Sequence, residues 1–159
     1  MRKSKTNNMK RIVTIIICGL SFGATVQLET AEIVARSIYY ENSELHDGIN
    51  YYVSEIETIK EGDLDLIYIF HLNPEGFIMV PADDQAVPNL AFGFDHPFKS
   101  INMPVNLDAL MKQFKSEMIT LIDAQNESES EIKELWKMYK NGNIDQRLQF
   151  FLILIHKSI

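Results

Sequence analysis

The chain has 159 residues, which allows one folded domain with tails and a single hydrophobic core. Its composition, with 46% hydrophobic and 23% charged residues, is that of a globular protein and excludes wholesale disorder. The net charge is −7, and an acidic surface repels phosphate backbones, which argues against nucleic-acid binding.

Residues 1–23 have the three-part layout of a secretory signal peptide. Five basic residues precede the apolar run 12–20, and small residues follow at Ser21, Gly23 and Ala24. The apolar run is far shorter than the roughly 20 residues that span a bilayer, so we expect export with cleavage near Gly23 or Ala24. Cleavage would leave 10 basic and 22 acidic side chains, a net charge of −12, which disfavours anionic membranes as well as nucleic acids.

The single cysteine, Cys18, lies inside this segment, so a chain cleaved after it would contain no disulfide. Cys18 is alternatively the lipid-modified first residue of a lipoprotein, although residues 15–17 lack the small residue usually found before such a cysteine. Without lipidation we expect an exported monomer that has no membrane anchor.

The first element after this segment is predicted to be a helix that Thr30 caps and that ends near Asn42. Its apolar residues recur at helical spacing, at Ala31, Val34, Ala35 and Ile38.

A meander of short antiparallel strands is predicted next. Residues 51–59 are rich in aromatic and β-branched side chains, which indicates a strand. Residues 64–72 are apolar at both odd and even positions, which is typical of a central strand with both faces covered. A tight turn at residues 73–76 then returns the chain as a hairpin through residues 77–80.

Pro81 ends the returning strand because it cannot donate a ladder hydrogen bond, and the chain then turns. Asp83 and Asp84 in this turn lack the alternating oxygen ligands of a calcium loop, so we expect them to bond the local backbone instead. Leu90, Phe92 and Phe94 alternate in the next predicted strand and are expected to share one core face.

Helical spacing returns at Asn106, which is predicted to cap a long helix, with Asp108 near the positive end of the helix dipole. The apolar stripe of this helix consists of Leu107, Leu110, Met111, Phe114, Met118, Leu121 and Ile122. Ser128 and Glu131 have the spacing of a capping box for a last helix that extends up to Asn141-Gly142. Both helices are expected to pack on one face of the sheet, which gives an α+β fold, an antiparallel sheet with helices against it.

Residues 141–159 form a tail of uncertain status. It contains an apolar run at residues 150–155 that is too short to span a membrane. The run is compatible with a last strand, a partner-binding tail or a foreign sequence appended by truncation of a longer reading frame.

Motifs for catalysis are missing from the sequence. There is no G-x-S-x-G elbow, no phosphate-cradling glycine loop and no H-E-x-x-H pair, and no cysteine follows the signal segment. The histidines, His46, His71, His96 and His156, lack the short spacings of a ligand set. We therefore expect a protein that is not an enzyme and has no cofactor and no metal site.

Taken in order, these segments resemble the propeptide of streptopain-type cysteine peptidases and the small stand-alone inhibitors similar to it. The resemblance runs from Thr30 to Tyr139 and predicts a domain over residues 30–140. It is carried by the first helix, by the runs 67–70 and 76–80, by the turn 82–84, by residues 88–93, and by the stretch 103–107 that opens the long helix.

The resemblance implies a domain that covers the active-site cleft of a papain-like protease and holds it inactive. In family members, the loop before the long helix delivers an asparagine toward the substrate pocket and the catalytic histidine, and Asn106 matches that position. The expected protease-binding residues are Met103, Pro104, Val105, Asn106 and Leu107. The sequence departs from the family at Pro81 and Phe94, where serine and tyrosine are frequent. The precursor proteases continue into a catalytic domain with Cys and His, which we do not expect here.

The leading hypothesis is an exported, non-catalytic inhibitor that occludes a streptopain-type cysteine protease without a covalent bond. The alternative is a separated or truncated propeptide that acts as a folding chaperone or survives as a remnant. A secreted structural or binding domain is the third reading.

Overall fold

The computed structural model describes residues 24–42, 44 and 51–142. The predicted signal segment and residues 143–159 of the predicted tail lie outside the described residues, as does most of the connection before residue 51.

The elements are α1 (Leu28–Glu41), β1 (Tyr52–Glu61), β2 (Leu64–Asn73), β3 (Phe77–Pro81), β4 (Ala91–Gly93), α2 (Val105–Ala124) and α3 (Ser130–Asn141). The predicted α+β class is confirmed. No helix among the described residues is long and apolar enough to cross a bilayer.

The sheet is an antiparallel meander in the order β1-β2-β3-β4, with each strand paired to the next along the chain. The predicted central position of β2 is confirmed, since residues 66–70 are all buried. The hairpin from β2 to β3 requires glycine at Gly76, where φ is +117° and an added Cβ would lie 2.6 Å from the Gly93 carbonyl oxygen.

Helices cover both faces of this sheet. On one face, α1 and α3 pack over side chains such as Phe70 and Ile78. On the other face, α2 packs over Ile69 and Met79. The expectation that α2 and α3 share a face is therefore wrong. Successive side chains of a strand point to opposite faces, so the apolar runs of β2 and β3 leave two surfaces to bury and the helices divide between them.

The first helix has the predicted buried stripe but a different start. Ala31, Val34, Ala35 and Ile38 are buried as predicted. The helix begins at Leu28 behind the N-cap residue Gln27, whose carbonyl oxygen accepts hydrogen bonds from the backbone of Thr30 and Ala31. Thr30 lies in the first turn, so its predicted role as the cap is wrong.

The predicted capping box of α3 is also wrong. The N-cap residue is Glu129, not Ser128, and the Glu129 side chain makes no capping hydrogen bond. The Ser128 hydroxyl instead donates to Asp84 Oδ1 at 2.8 Å. The hydroxyl therefore acts as a donor to a carboxylate, a charge-assisted bond that is stronger than one between neutral groups.

Buried hydrogen bonds attach α3 to the rest of the domain. Trp136 Nε1 donates to the Ala86 carbonyl oxygen at 2.8 Å, and the Ser37 hydroxyl donates to the Tyr139 carbonyl oxygen at 2.7 Å. Both contacts join residues that are far apart in sequence, so α3 contributes to the cooperative unit and is not an appendage.

The last strand is shorter than predicted. Phe92 and Phe94 pack in the core between the sheet and α1 and α3, called here the α1 cluster. Leu90 packs in the core between the sheet and α2, called here the α2 cluster. The prediction that all three share one face is wrong for Leu90. This residue precedes β4, so the strict alternation of a strand does not extend to it.

The acidic turn shows the expected backbone bonding. Asp83 Oδ1 accepts from the Gln85 backbone nitrogen at 2.9 Å and from Gln85 Nε2 at 3.2 Å. Burial raises the pKa of Asp83, while the hydrogen bonds from Gln85 act in the opposite direction. Within the described part of the chain, no group of three or more His, Cys, Asp or Glu side chains is arranged to hold a metal ion.

The raised pKa of Asp83 predicts a pH effect on stability that is opposite to that of a salt-bridged carboxylate. The native state binds this proton more tightly than the unfolded state, so protonation stabilises the fold as the pH falls toward the ordinary carboxyl range. The measured quantity is the free energy of unfolding of the parent chain minus that of Asp83→Asn. We expect this difference to increase as the pH is lowered from about 6 to about 4. Urea titrations at the two pH values measure this difference, and a fall would contradict the prediction.

The position of α3 predicts the effect of Trp136→Phe. The change removes the bond to Ala86 and leaves a buried carbonyl unpaired, which costs about 1–3 kcal/mol of unfolding free energy. Tyr40→Phe is the control, because that ring is 55% exposed and its hydroxyl should matter little. Far-UV circular dichroism in urea is the measurement, since the variant lacks the single tryptophan. Equal stability of the two variants would contradict the buried position of α3.

Candidate functional site

Residues 103–107, called here the candidate segment, lie where the chain enters α2. The helix begins at Val105, and its N-cap residue is Pro104, at φ −53° and ψ 146°. The first helical hydrogen bond runs from the Asp108 backbone nitrogen to the Pro104 carbonyl oxygen at 2.9 Å. Asn106 therefore lies inside the first turn, and its predicted role as the N-cap is wrong. Proline is well suited to this entry because its ring restricts φ to a value that both the extended chain and the helix accept.

Buried side chains on both sides hold the candidate segment in place. Phe98 is 5% exposed, and its ring centroid lies 5.3 Å from that of Phe77 and 6.4 Å from that of His71. Met103 and Leu107 are half-buried and pack against the α2 cluster. The backbone between these anchors is therefore attached to the core, even though the segment itself is on the surface.

The middle of the segment points away from the core. Pro104, Val105 and Asn106 are all exposed. Val105 is 88% exposed and Ile101 is 75% exposed, the two highest values among the large hydrophobic side chains of the described residues. Leu110, 41% exposed, lies farther along the same helix. The apolar exposure of Ile101 and Val105, four residues apart in sequence, is the feature of this stretch that fits an interaction surface.

Sequence reasoning missed Ile101 and Leu110. Ile101 is an isolated apolar residue between polar neighbours, and that isolation was the available signal. The helical spacing predicts Leu110 in the buried stripe, but it is 41% exposed while the next residue, Met111, is buried, because successive side chains of a helix point about 100° apart and Leu110 lies at the edge of the stripe. The structure brings Pro104, Val105 and Asn106 together on the surface and gives Met103 and Leu107 an anchoring position. Their contact with a protease stays a prediction.

The chemistry available in the segment is that of recognition. The Asn106 side chain offers amide donors and a carbonyl acceptor, and it carries no charge. The neighbouring Asp108 carboxylate accepts from Lys112 Nζ at 2.7 Å in an exposed i,i+4 pair, which contributes little to stability. The segment contains no cysteine, serine or histidine that could act as a nucleophile or base, so it can bind a partner but has no group for catalysis.

A groove lies between α1 and β1, with a volume of about 490 Å³. Its lining includes the aromatic side chains Tyr39, Tyr40, Tyr51 and Tyr52. The Tyr51 hydroxyl donates to the Phe94 carbonyl oxygen at 3.0 Å, which ties this wall to the end of β4. The groove is on the α1 face, whereas the anchors of the candidate segment pack on the α2 face, so the two are separate surfaces.

The difference between anchoring and exposed residues predicts unequal effects on stability. Phe98→Ala empties a buried aromatic site and should lower the unfolding free energy by about 3–5 kcal/mol. Val105→Ala removes methyl groups that are already in solvent, so its effect should stay within about 0.5 kcal/mol. Urea unfolding of both variants tests this difference. A large loss for Val105→Ala would show that Val105 is a core residue.

Comparison with known families agrees with this arrangement. The family model described as Spi protease inhibitor matches residues 23–118, which include α1, the whole sheet, the candidate segment and most of α2. No curated protein and no solved structure matches the chain significantly. The match covers more than half of the chain, it confirms the predicted non-enzymatic character, and it implies a protease as the partner. The chain therefore belongs to the Spi protease inhibitor family.

Proposed function

We propose that this protein inhibits a streptopain-type, papain-like cysteine protease by inserting the candidate segment into its active-site cleft. Membership of a protease inhibitor family supports the general activity. The observation that supports this site is Val105, which is 88% exposed beside Asn106 on a backbone anchored to the core. The target class and the occlusion mechanism are our proposal.

Binding at this segment gains free energy from apolar burial. Full burial of an aliphatic side chain such as Val105 or Ile101 contributes about 1.5–3 kcal/mol. Ordering a loop on binding costs free energy, but the anchors Phe98, Met103 and Leu107 have already restricted this segment. More of the gross contact energy is therefore retained as affinity.

The proposed mechanism is non-covalent occlusion, in which Asn106 contacts polar groups of the cleft. Its amide can donate to one such group and accept from another without changing charge. The segment is also poorly shaped as a substrate. From Val105 onward the backbone is helical, with the Asp108 nitrogen bonded to the Pro104 carbonyl oxygen, whereas cleavage requires local opening of such structure.

Export is part of the proposal. The three-part layout of residues 1–23 supports a cleaved signal peptide, and the acidic charge of the remaining chain is compatible with a partner that has a basic rim. The inhibitor would then meet its target outside the cytoplasm.

Titration of a streptopain-type protease with the purified protein, monitored with a fluorogenic peptide, tests the proposal. We expect stoichiometric inhibition by the parent protein. Asn106→Ala and Val105→Ser should each raise the inhibition constant about tenfold or more, equivalent to about 1.4 kcal/mol or more.

Matched controls separate the segment from general surface effects. Asn126→Ala changes an exposed asparagine beyond the other end of α2, and Val87→Ser changes a valine that is 46% exposed between β3 and β4. Both should inhibit as the parent does. If all four variants inhibit equally, the segment is not the inhibitory site, and if the parent does not inhibit, the target class is wrong.

A further inference from the structure

The first described residues are fixed against the acidic turn. The Val26 backbone nitrogen donates to the Ala82 carbonyl oxygen at 2.9 Å, and the Asp84 nitrogen donates to the Ala24 carbonyl oxygen at 3.1 Å. Thr25 and Asp83 form an isolated antiparallel bridge. The Val26 side chain is 3% exposed within the α1 cluster. The backbone of residue 24 is therefore held at a defined place beside Asp84.

A carboxylate faces the backbone nitrogen at this place. The Ala24 nitrogen donates to Asp84 Oδ1 at 2.8 Å, and the same oxygen accepts from the Ser128 hydroxyl at 2.8 Å. The ion pairs of the described residues join other side chains, and none of them involves Asp84. In the described part of the chain, this carboxylate is therefore matched by neutral donors but by no positive charge.

The sequence pattern of a signal-peptide cut fits the peptide bond between Gly23 and Ala24. Signal peptidases prefer small residues at the first and third positions before the cut. A cut after Gly23 gives Gly23 and Ser21 at these positions, whereas a cut after Ala24 would place the bulky Phe22 at the third. The family match also begins at residue 23.

We propose that signal peptidase cuts between Gly23 and Ala24, and that the new α-ammonium of Ala24 forms an ion pair with Asp84. The cut is a hydrolysis. Water breaks the Gly23–Ala24 peptide bond, Gly23 leaves as a carboxylate with the water oxygen, and the Ala24 amine takes up a proton. The inference rests on the export proposed above and does not depend on which protease is the target.

Processing then has a structural consequence. It replaces an amide donor by a cationic donor at the same carboxylate, and charge-assisted hydrogen bonds are roughly twice as strong as neutral ones. Asp84 already joins the start of the chain, the turn after β3 and the link between α2 and α3, through its bonds to Ala24 and Ser128. Removal of the signal would therefore tighten three segments at one point.

The first test is the N-terminus of the full chain after expression in a bacterial host that exports it. Intact mass and N-terminal sequencing should give Ala24 as the first residue. A start at Thr25, a lipidated Cys18 or an uncleaved chain would overturn the inference. Protease inhibition is not the readout, so failure here is distinguishable from failure of the proposed function.

The second test is the reactivity of the α-amine in that exported protein. An adjacent carboxylate favours the unreactive ammonium, so acylation near neutral pH should be roughly tenfold slower in the parent than in Asp84→Asn. Asp95→Asn removes an exposed carboxylate elsewhere and should leave the rate unchanged. Equal rates in the parent and Asp84→Asn, with Ala24 as the first residue, would overturn the ion pair.

A measurement on the parent protein alone covers the case in which Asp84→Asn does not fold. Acetylation of the Ala24 amine removes its charge, and it should lower the melting temperature by about 2–4 °C, the shift expected when roughly 1 kcal/mol is lost from a domain of this size. An unchanged melting temperature after complete acetylation would also overturn the ion pair.

Discussion

The apolar character of both faces of β2 is the constraint on which the rest of the structure depends. Residues 66–70 are buried without interruption, so each face of the sheet needs a cover. The helices α1 and α3 supply one cover and α2 the other. The chain must therefore change faces after β4 and again after α2. The candidate segment, residues 103–107, belongs to the first of these crossings, so its place on the surface follows from the way the core is closed.

The second crossing explains the importance of the acidic turn. After α2 the chain returns to the α1 face through residues 125–129, and Ser128 in this link donates to Asp84. Gln85 Nε2 donates to the Leu121 carbonyl oxygen at 2.9 Å, near the end of α2. The turn that follows β3 thus contacts the end of one helix and the approach to the next. Its side chains direct the backbone at the point where the helices exchange faces.

The proposed inhibition depends on shape and contact. Here the anchoring side chains Phe98, Met103 and Leu107 point into the α2 cluster, while Val105 and Asn106 point out. In the proposed complex, this division would reduce the ordering cost of association, because the core already restricts the exposed residues. In the proposed complex, the helical backbone behind Val105 would have to open before cleavage.

The sequence alone determined the elements whose signal is local. These are the buried stripe of α1, the meander with β2 in its interior, the hairpin to β3 and the long helix α2. Only the tertiary structure decided which face each helix covers, because β2 and β3 are equally apolar on both sides and helical spacing does not distinguish them. It also decided that Ser128 bonds Asp84 and that Asn106 is no cap. A side-chain oxygen or amide has several acceptable partners, and the choice depends on which residues the fold brings near it.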